Sequence, residues 1–493
     1  MERLDGTLAC CNGHCCDTLG DDACSSSHSA GPQTPSIAEK TNAISRDSNT
    51  AGVGDVCSDR KRKLVLHVDV RNTILVSDSA THDNVEQALN SFLTGVTWGR
   101  QESTGWVWYS DRPSLRAPCP DVITYYKSRE RELVRSPADR VKLRRITSDF
   151  TRQPIGRKFR KHFDAHLRLL EWGVATSREA LNNFNCDKPD STITSFIHNS
   201  PTRTKPEVDL VDRKLTIVGA NGRLYHYLLP SFIKMMYDLE ADGCHFSVIL
   251  RTYGVDAPKV LDSIGHIVAG NHPLFPGRLS INVNKQPGHI RRLPGGRVRC
   301  ELPPTADGTG LSPPIILETD TDIYRYLSGV EGVCGFVDDF EHWQAHDYAH
   351  SEGKPLWIDL TDPHVQHIFF DDNIRVADAE GIVDVRLFDG DCSSTSGSGC
   401  RAAARSLSIE EIAPLENVCL VQADLLESMS NVDYFINKAR QCAANYSDCL
   451  RQRKRPEMHC QEGDISSVQL QQFVDGDNLK FVEDSRVALC ASF

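Results

Sequence analysis

The sequence has no long hydrophobic run. Nowhere do its 493 residues approach the roughly 18 consecutive apolar residues that a membrane-spanning helix needs. Residues 1–20 are polar and lack the apolar segment of a secretory signal peptide. From these absences we expect neither a membrane span nor secretion, and we predict an intracellular, cytoplasmic protein.

Extremes of composition are also missing. Apolar residues make up 40% and charged residues 25% of the chain, which is ordinary for globular proteins and excludes a wholly disordered chain or a fibrous repeat. No internal repeat is visible. The length allows two to four domains, or one large domain with insertions.

Cysteine is sparse for a disulfide-rich protein. The 18 cysteines are spread over a long chain without a signal peptide, so we interpret them as mostly reduced thiols. Several lie in residues 1–60, a segment rich in Ser, Asp, Gly and Thr that we predict to be a disordered tail. Its Cys-Cys-x-x-His-Cys-Cys cluster could bind zinc or accept a lipid, but no second ligand pair follows at zinc-finger spacing.

Positive charge is unevenly distributed along the chain. The net charge of −12 makes nucleic acid an unlikely partner for the whole molecule. Residues 127–161 nevertheless hold thirteen Lys and Arg against four Asp and Glu. One interpretation is a surface that binds an anionic substrate, with its densest charge at Arg144, Arg145, Arg157, Lys158, Arg160 and Lys161. Of these, Arg144, Arg145, Lys158 and Lys161 are the candidate substrate contacts. The other is a solvated helical face that pairs with the acidic remainder of the protein.

Apolar periodicity predicts strands that alternate with helices, which is typical of an α/β fold with a largely parallel sheet. We predict strands over 63–69, 246–250, 365–370 and 383–387. We predict helical segments over 84–93, 125–171, 231–242 with Ser231 as a cap, 258–269, 323–330, 340–350 and 408–450.

Polar side chains directly follow three of these strands. Asp69 follows the first, Arg251 and Thr252 follow the second, and Asp371 and Asp372 follow the third. Ligands bind at the carboxyl ends of the strands in open parallel sheets, so these groups should share one edge. One carboxylate, one hydroxyl and a carboxylate pair at one edge indicate a site for a phosphoryl group.

These motifs resemble those of the haloacid dehalogenase (HAD) superfamily. The resemblance lies in strand-Asp69-Val-Arg-Asn-Thr, strand-Arg-Thr252, Gly-Lys354-Pro and strand-Asp371-Asp372, in that order. It implies a Rossmann-like core and transfer of a phosphoryl group from a phosphorylated small molecule through an aspartyl intermediate. Asp69 would be the nucleophile. Asp69, Asp371 and Asp372 would hold Mg²⁺, while Thr252 and Lys354 would stabilise the phosphoryl oxygens.

Arg71 departs from the family pattern. HAD phosphatases carry a second Asp there, which protonates the leaving group, whereas a guanidinium stays protonated and cannot serve as an acid. Some branches of the superfamily lack this Asp and keep their chemistry, including dehalogenases and phosphonate hydrolases. A catalytically inactive protein that binds anions or protein partners is the alternative. Arg71 could also bind an anion itself, or pair with a carboxylate.

The resemblance also suggests the domain organisation. We predict a HAD-like core with helices on both faces of the sheet, a large, basic and mainly helical cap, and a second, smaller insertion. The corresponding boundaries are 61–80 and 231–390 for the core, 271–320 for the smaller insertion, 81–230 for the cap, 391–407 for a flexible linker and 408–493 for a C-terminal helical segment and tail. Arg251, beside Thr252, is a further candidate substrate contact.

Three histidines, His342, His346 and His350, recur every fourth residue in the predicted helix 340–350. Neutral imidazole is a good zinc ligand. Three such residues on one helix span two turns, which is too far for all of them to reach one ion. The pattern therefore does not favour a metal site made from all three.

Overall fold

The computed structural model describes residues 62–77, 83–103, 105–173, 212–302, 315–376, 381–388 and 403–453. The predicted tail 1–60, the end of the C-terminal segment and most of the predicted linker 391–407 lie outside the described residues. The last residues of the linker segment are described and include a short strand.

The strands are β1 (Lys63–Asp69), β2 (Trp98–Glu102), β3 (Gly105–Trp108), β4 (Ile123–Thr124), β5 (Thr216–Val218), β6 (Leu224–His226), β7 (Phe246–Thr252), β8 (Gly288–Leu293), β9 (Arg297–Glu301), β10 (Ile316–Leu317), β11 (Gly332–Val337), β12 (Lys354–Ile358), β13 (Val365–Asp371), β14 (Val383–Leu387), β15 (Arg405–Ser406) and β16 (Leu420–Gln422).

The helices are α1 (Val85–Gly95), α2 (Tyr125–Leu133), α3 (Arg140–Thr147), α4 (Arg160–Leu169), α5 (Pro230–Ala241), α6 (Ala257–His266), α7 (Asp320–Gly329), α8 (Phe340–Ala345), α9 (Ile409–Ile412), α10 (Leu425–Ser430) and α11 (Tyr434–Arg453). In the part of the chain that the structure describes, none of them is both long and apolar enough to cross a membrane.

The main sheet has eight strands in the order β10-β9-β8-β11-β7-β1-β13-β16. The strands from β8 to β16 in this order pair in parallel, and β9 and β10 form an antiparallel edge. The predicted class, an α/β fold with a largely parallel sheet, is therefore confirmed, and the arrangement is consistent with a Rossmann-like fold.

Strand β1 shows why the sheet forms in this way. All seven of its residues are buried, as are all seven of β7, because a central parallel strand is covered on both faces. Leu64, Leu66 and Val68 belong to a core cluster that includes apolar residues of helices α1, α5, α6 and α11. Val65 points the other way, into a second cluster with α7 and Trp357 of β12.

A second, three-stranded sheet has the order β12-β14-β15, with β12 and β14 parallel. Strand β14 was predicted as a further strand, and the structure places it here and not in the main sheet. This position matters for the site, because Lys354 is the first residue of β12.

The predicted basic helical stretch 125–171 forms three separate helices, α2, α3 and α4, linked by short 3-10 turns. Its aromatic residues face inward: Tyr125, Phe150 and Phe159 are buried and belong to the main core cluster. The charged side chains are left on the outer surface, where Arg144, Arg145, Lys158 and Lys161 are exposed. Burial of the apolar face accounts for helices in so highly charged a sequence.

Four local expectations need correction. Segment 271–320, predicted as an insertion, supplies β8, β9 and β10 to the main sheet. The segment 408–450, predicted as helical, contains the edge strand β16. Ser231 does not cap α5, because Leu229 is the cap residue and the Ser231 hydroxyl donates to the carbonyl of Ser428 at 2.6 Å. Helix α8 ends at Ala345, well before the predicted end at residue 350.

His226, the last residue of β6, is a buried histidine that the sequence did not single out. It is 4% exposed, and its ring lies 4.8 Å from that of Trp172 and 5.9 Å from that of His272, between centroids. Neither of its ring nitrogens has a hydrogen-bond partner among the described residues. Burial, with a smaller contribution from His272, lowers the pKa of His226 to about 3.

We expect His226→Phe to stabilise the protein, and more so in acid. The folded protein keeps His226 neutral, whereas the unfolded chain takes up a proton as the pH falls below about 6.5. The wild type therefore loses stability between about pH 6.5 and the folded pKa, and the phenylalanine variant avoids this loss. The gain in unfolding free energy should grow by up to about 1.4 kcal/mol per pH unit. Urea denaturation at two pH values checks this.

The exposed His364 provides the matched control, since His364→Gln removes an imidazole that is not buried. A gain for His226→Phe that is the same at about pH 7.5 and about pH 5.5 would contradict this account of the buried ring.

Candidate functional site

Asp69 lies where β1 leaves the sheet, and a tight turn follows it. Asn72 adopts a left-handed backbone with φ 57°, and its N–H donates to the carbonyl of Leu75 at 2.8 Å. Asn tolerates this conformation better than most residues. The turn brings the Thr73 hydroxyl to 3.4 Å from Asp69 Oδ2, and the same hydroxyl accepts the N–H of Asp372 at 3.3 Å. Thr73 therefore joins the ends of two neighbouring strands.

The parallel register of β1 and β13 pairs Val68 with Phe370, so Asp69 and Asp371 leave the sheet side by side. The loop after β13 is organised by Asn373. Its N–H donates to Asp371 Oδ1 at 2.9 Å, and its side-chain amide donates to Asp372 Oδ1 at 3.2 Å. Three carboxylates are thereby held at one edge of the sheet.

Lys354 reaches this edge from the second sheet. Its ammonium donates to Asp69 Oδ1 at 2.6 Å, to Asp371 Oδ2 at 2.8 Å and to the carbonyl of Arg251 at 3.3 Å. The lysine side chain is 1% exposed. The predicted nucleophile, the predicted lysine and one predicted metal ligand thus meet in a buried, mutually bonded group.

The charges in this group are not balanced, because one ammonium lies beside three carboxyl groups. Burial, opposed by Lys354 and reinforced by the charge of Asp371, raises the pKa of Asp69 to about 7. Burial and the charges of Asp371 and Asp69 raise the pKa of Asp372 well above its usual range. Burial alone would lower the pKa of Lys354, but Asp371 and Asp69 raise it instead. Lys354 therefore stays charged without neutralising three carboxylates.

The carboxylates fit a hard divalent cation. Ligand oxygens of Asp69, Asp371 and Asp372 all lie within 4.8 Å of one another. Oxygen ligands are those that Mg²⁺ prefers, and a doubly charged ion relieves the repulsion that raises the carboxyl pKa values. Asp69 and Asp371 are buried, whereas Asp372 is partly exposed, which leaves room for the water ligands that Mg²⁺ usually keeps.

Thr252, the predicted hydroxyl donor, is buried at the end of β7, the other neighbour of β1. Its hydroxyl accepts the N–H of Gly254 at 2.9 Å, which leaves the hydroxyl proton available for an acceptor. Thr252 shares the carboxyl edge with Asp69, although no hydrogen bond joins the two side chains among the described residues.

Arg251 was predicted to contact a substrate, and the structure places it differently. The residue is fully buried, and its guanidinium donates to both oxygens of Asp338 at 3.0 and 2.6 Å and to the carbonyl of Pro355 at 3.0 Å. A buried, bidentate pair of this kind is costly to open, because either partner alone would be an uncompensated charge. Arg251 therefore supports the floor of the site and is not free to bind a ligand.

Arg71 is half-buried in the turn after β1. Burial and neighbouring carboxylates raise the pKa of Asp372, and Arg71 counteracts that rise. Arg71 also has a lowering effect on the pKa of Tyr126, which burial raises. The charge of the Arg71 guanidinium therefore influences the pKa of Asp372 and the pKa of Tyr126, which lies in the first turn of α2. Nothing in the sequence linked Tyr126 to the site, because the connection is purely spatial.

Several basic residues of 81–230 make contacts within their own region, while others, such as Arg116 with Glu416, pair with residues outside it. Lys158 lies 3.5 Å from the centre of the Trp108 ring. Neighbouring charges form local pairs, including Arg140 with Glu130 and Arg160 with Asp164. No bond from Arg144, Arg145, Lys158 or Lys161 to the carboxylates is present within the described residues. Their role in substrate binding stays a prediction.

Thr73 and Asn373 complete the site, and sequence reasoning assigned a role to neither. Thr73 ends the motif that follows β1, and Asn373 directly follows Asp372, so their place in or beside the motifs was an available signal. The backbone geometry that brings Thr73 and Asn373 to the carboxylates could not be predicted from these positions.

We expect Lys354→Met to destabilise the protein by about 3–5 kcal/mol, because it leaves two buried carboxylates without their cation. Adding Asp69→Asn should recover a substantial part of the loss, since it removes one of the uncompensated charges. Urea denaturation of the single and double variants, without added metal, measures this coupling.

The matched control is Lys285→Met, which removes a lysine that is 56% exposed and paired with Asp262. Exposed pairs contribute about 0–1 kcal/mol. Equal losses for the two methionine variants would show that the Lys354 bonds carry no special stability.

Comparison with known proteins identifies no relative. No protein-family model, no curated protein and no solved structure matches the chain. The likeness to the HAD superfamily therefore rests on the four sequence motifs, and the function has to be argued from the chemistry of the site.

Proposed function

We propose that this protein is a HAD-like, Mg²⁺-dependent hydrolase that acts on a phosphorylated small molecule through Asp69. The observation that carries the proposal is the convergence of Asp69, Asp371 and Lys354 within hydrogen-bond distance, with Asp372 beside them. These residues come from three distant parts of the chain, and their order and identities match the motifs. A general α/β fold does not require them to meet.

Asp69 is the nucleophile in this proposal. A carboxylate oxygen forms a bond to phosphorus while the bond from phosphorus to the leaving group breaks, and water then cleaves the aspartyl phosphate. Thr73 and Lys354 fix the orientation of the carboxylate through one oxygen each. Deprotonation of Asp69 is required for attack, and the Lys354 ammonium favours that charged form.

Asp69, Asp371 and Asp372 would hold the Mg²⁺. When bound, this ion offsets the repulsion between a carboxylate and the incoming phosphoryl group. Lys354 provides a fixed positive charge near the oxygens on which charge develops, and the Thr252 hydroxyl can donate a hydrogen bond to one of them.

Arg71 restricts the substrate class. It cannot protonate a leaving group, and general acid catalysis is commonly worth about 10²–10⁴ in rate. The proposed substrates are therefore phosphorylated compounds with acidic leaving groups, such as aryl or acyl phosphates, which depart without a proton. Arg71 can instead attract the anionic substrate toward Asp372 and the metal.

The second candidate is a catalytically inactive HAD-like protein that binds a metal, an anion or a protein partner. Arg71 favours this candidate too, because it stands where the acid of the family's phosphatases would be. Measured hydrolysis of a phosphorylated compound distinguishes the two candidates, since only the first predicts it.

We expect hydrolysis of an aryl phosphate with Mg²⁺, and a fall of at least about 10³-fold in Asp69→Asn, because the amide is not a nucleophile. Release of the phenol measured by absorbance checks this. Asp322→Asn, at a position in α7 where the side chain is 47% exposed, should keep full activity. Wild-type activity that survives in Asp69→Asn would mean that another group does the chemistry.

Arg71→Asp should raise the hydrolysis of alkyl phosphates by about 10²–10⁴-fold, because it introduces a group that can protonate a poor leaving group. Arg71→Gln is the matched control, since it removes the charge without supplying an acid. Phosphate release from both variants and from wild type gives the comparison.

Equal gains in the two Arg71 variants would show that the guanidinium only obstructs the site. A wild type that is inactive on every phosphate and phosphonate tested, with turnover only in Arg71→Asp, would favour the inactive protein.

A further inference from the structure

The histidine-rich segment after β11 folds differently from the predicted long helix. Helix α8 is capped at its N-terminus by Asp339, whose carboxylate accepts the N–H of His342 at 3.2 Å. It ends at Ala345, and Asp347 and Tyr348 then adopt left-handed backbone conformations with φ 54° and 60°. The chain therefore reverses direction, and Glu352 returns to the first histidine of the helix.

Three potential ligands meet as a result. Nε2 of His342 lies 2.7 Å from Oε2 of Glu352, and the rings of His342 and His346 stack with 4.1 Å between centroids. Ligand atoms of the three residues all lie within 4.8 Å of one another. His350, the third histidine of the sequence pattern, lies apart and contacts the carbonyl of Leu407 at 3.3 Å.

The hydrogen bonds also fix the orientation of His346. Its Nδ1 lies 2.8 Å from the carbonyl oxygen of His342, and a carbonyl only accepts, so Nδ1 must carry the proton. The lone pair of a neutral ring is then on Nε2. A backbone carbonyl that holds the second nitrogen of a ligating histidine is the usual supporting contact in metal sites.

We propose that His342, His346 and Glu352 bind one divalent transition-metal ion of the zinc class, separate from the carboxylate site around Asp69. Two imidazole nitrogens and one carboxylate oxygen suit zinc, whereas Mg²⁺ prefers oxygen ligands. His346 is exposed, so water can occupy a fourth position.

Binding requires side-chain movements of at most about 1.5 Å, because the ligand atoms already lie within 4.8 Å of one another. Tetrahedral zinc ligands at about 2.0–2.1 Å from the ion lie about 3.3 Å apart, so the contact between His342 and Glu352 must open by about half an ångström. The proton between them moves to Nδ1 of His342, which leaves the ring neutral and frees Nε2 for the ion. Glu352 is partly exposed, at 28% of its side-chain surface, and can move.

The ion would fasten the segment 346–352 to helix α8. Trp343 of this helix donates through its indole N–H to the carbonyl of Ala349 at 3.1 Å, across the same reversal. Its ring also stacks on Tyr253, 5.2 Å between centroids, and Tyr253 lies beside Lys354. The indole of Trp343 is therefore a local reporter of binding.

Zinc content after equilibrium dialysis of the full, reduced chain tests the proposal. Wild type should retain one zinc per chain more than His346→Gln or Glu352→Gln, with affinity reduced at least about 10–100-fold in each variant, since loss of even an outer contact has effects of that size. His364→Gln, at an exposed histidine away from the cluster, should match wild type. Because only the difference in zinc content between wild type and each variant is counted, zinc bound by cysteines does not affect the result.

Two further readouts complete the test. Ni²⁺ should quench a fluorescence component that is missing in Trp343→Phe, and thermal unfolding without metal should show that the exposed His346→Gln variant is folded. Equal zinc content in wild type and His346→Gln overturns the proposal. Loss of the same equivalent in Asp69→Asn also overturns it, because the ion would then belong to the carboxylate site.

Discussion

The position of one ammonium group organises this protein's candidate site. Lys354 donates simultaneously to Asp69 and Asp371, and it does so from a strand outside the main sheet. The three residues are almost completely buried, so each charge depends on the others for stability. The arrangement constrains both sheets at once, because a small shift of β12 would break two buried ion pairs.

The fold supports that lysine through a second buried pair. Arg251 and Asp338 neutralise each other beneath the site, and Arg251 also donates to the carbonyl of Pro355, the residue that follows Lys354. Because Asp338 neutralises Arg251, the positive side chains of Arg251 and Lys354 can lie close together without a large repulsive energy. The carboxylates facing Lys354 are not balanced in the same way. That excess of negative charge is the physical basis for proposing a divalent cation there.

Much of this could be predicted from the sequence, for identifiable reasons. Strands β1, β7 and β13 are continuous buried runs, so their ends could be located, and Asp69 and Asp371 follow from those ends. The buried ion pair of Arg251 was not predicted, because strand periodicity does not show that Asp338 lies opposite it. The cluster with Glu352 was missed because it depends on a chain reversal at Asp347, where the predicted helix would have continued. Long-range pairing and unusual backbone conformations are three-dimensional properties, and local sequence patterns do not predict them.

The proposed role of the carboxylates at the ends of β1 and β13 is to bind a hard divalent cation. The most direct measurement is an anomalous difference map from crystals of the protein soaked in Mn²⁺, which substitutes for Mg²⁺ at oxygen sites. If the carboxylates bind such an ion, a peak is expected about 2.0–2.3 Å from carboxylate oxygens of Asp69 and of Asp371 or Asp372. A map with no density there, and with Lys354 still bridging Asp69 and Asp371, would contradict this role.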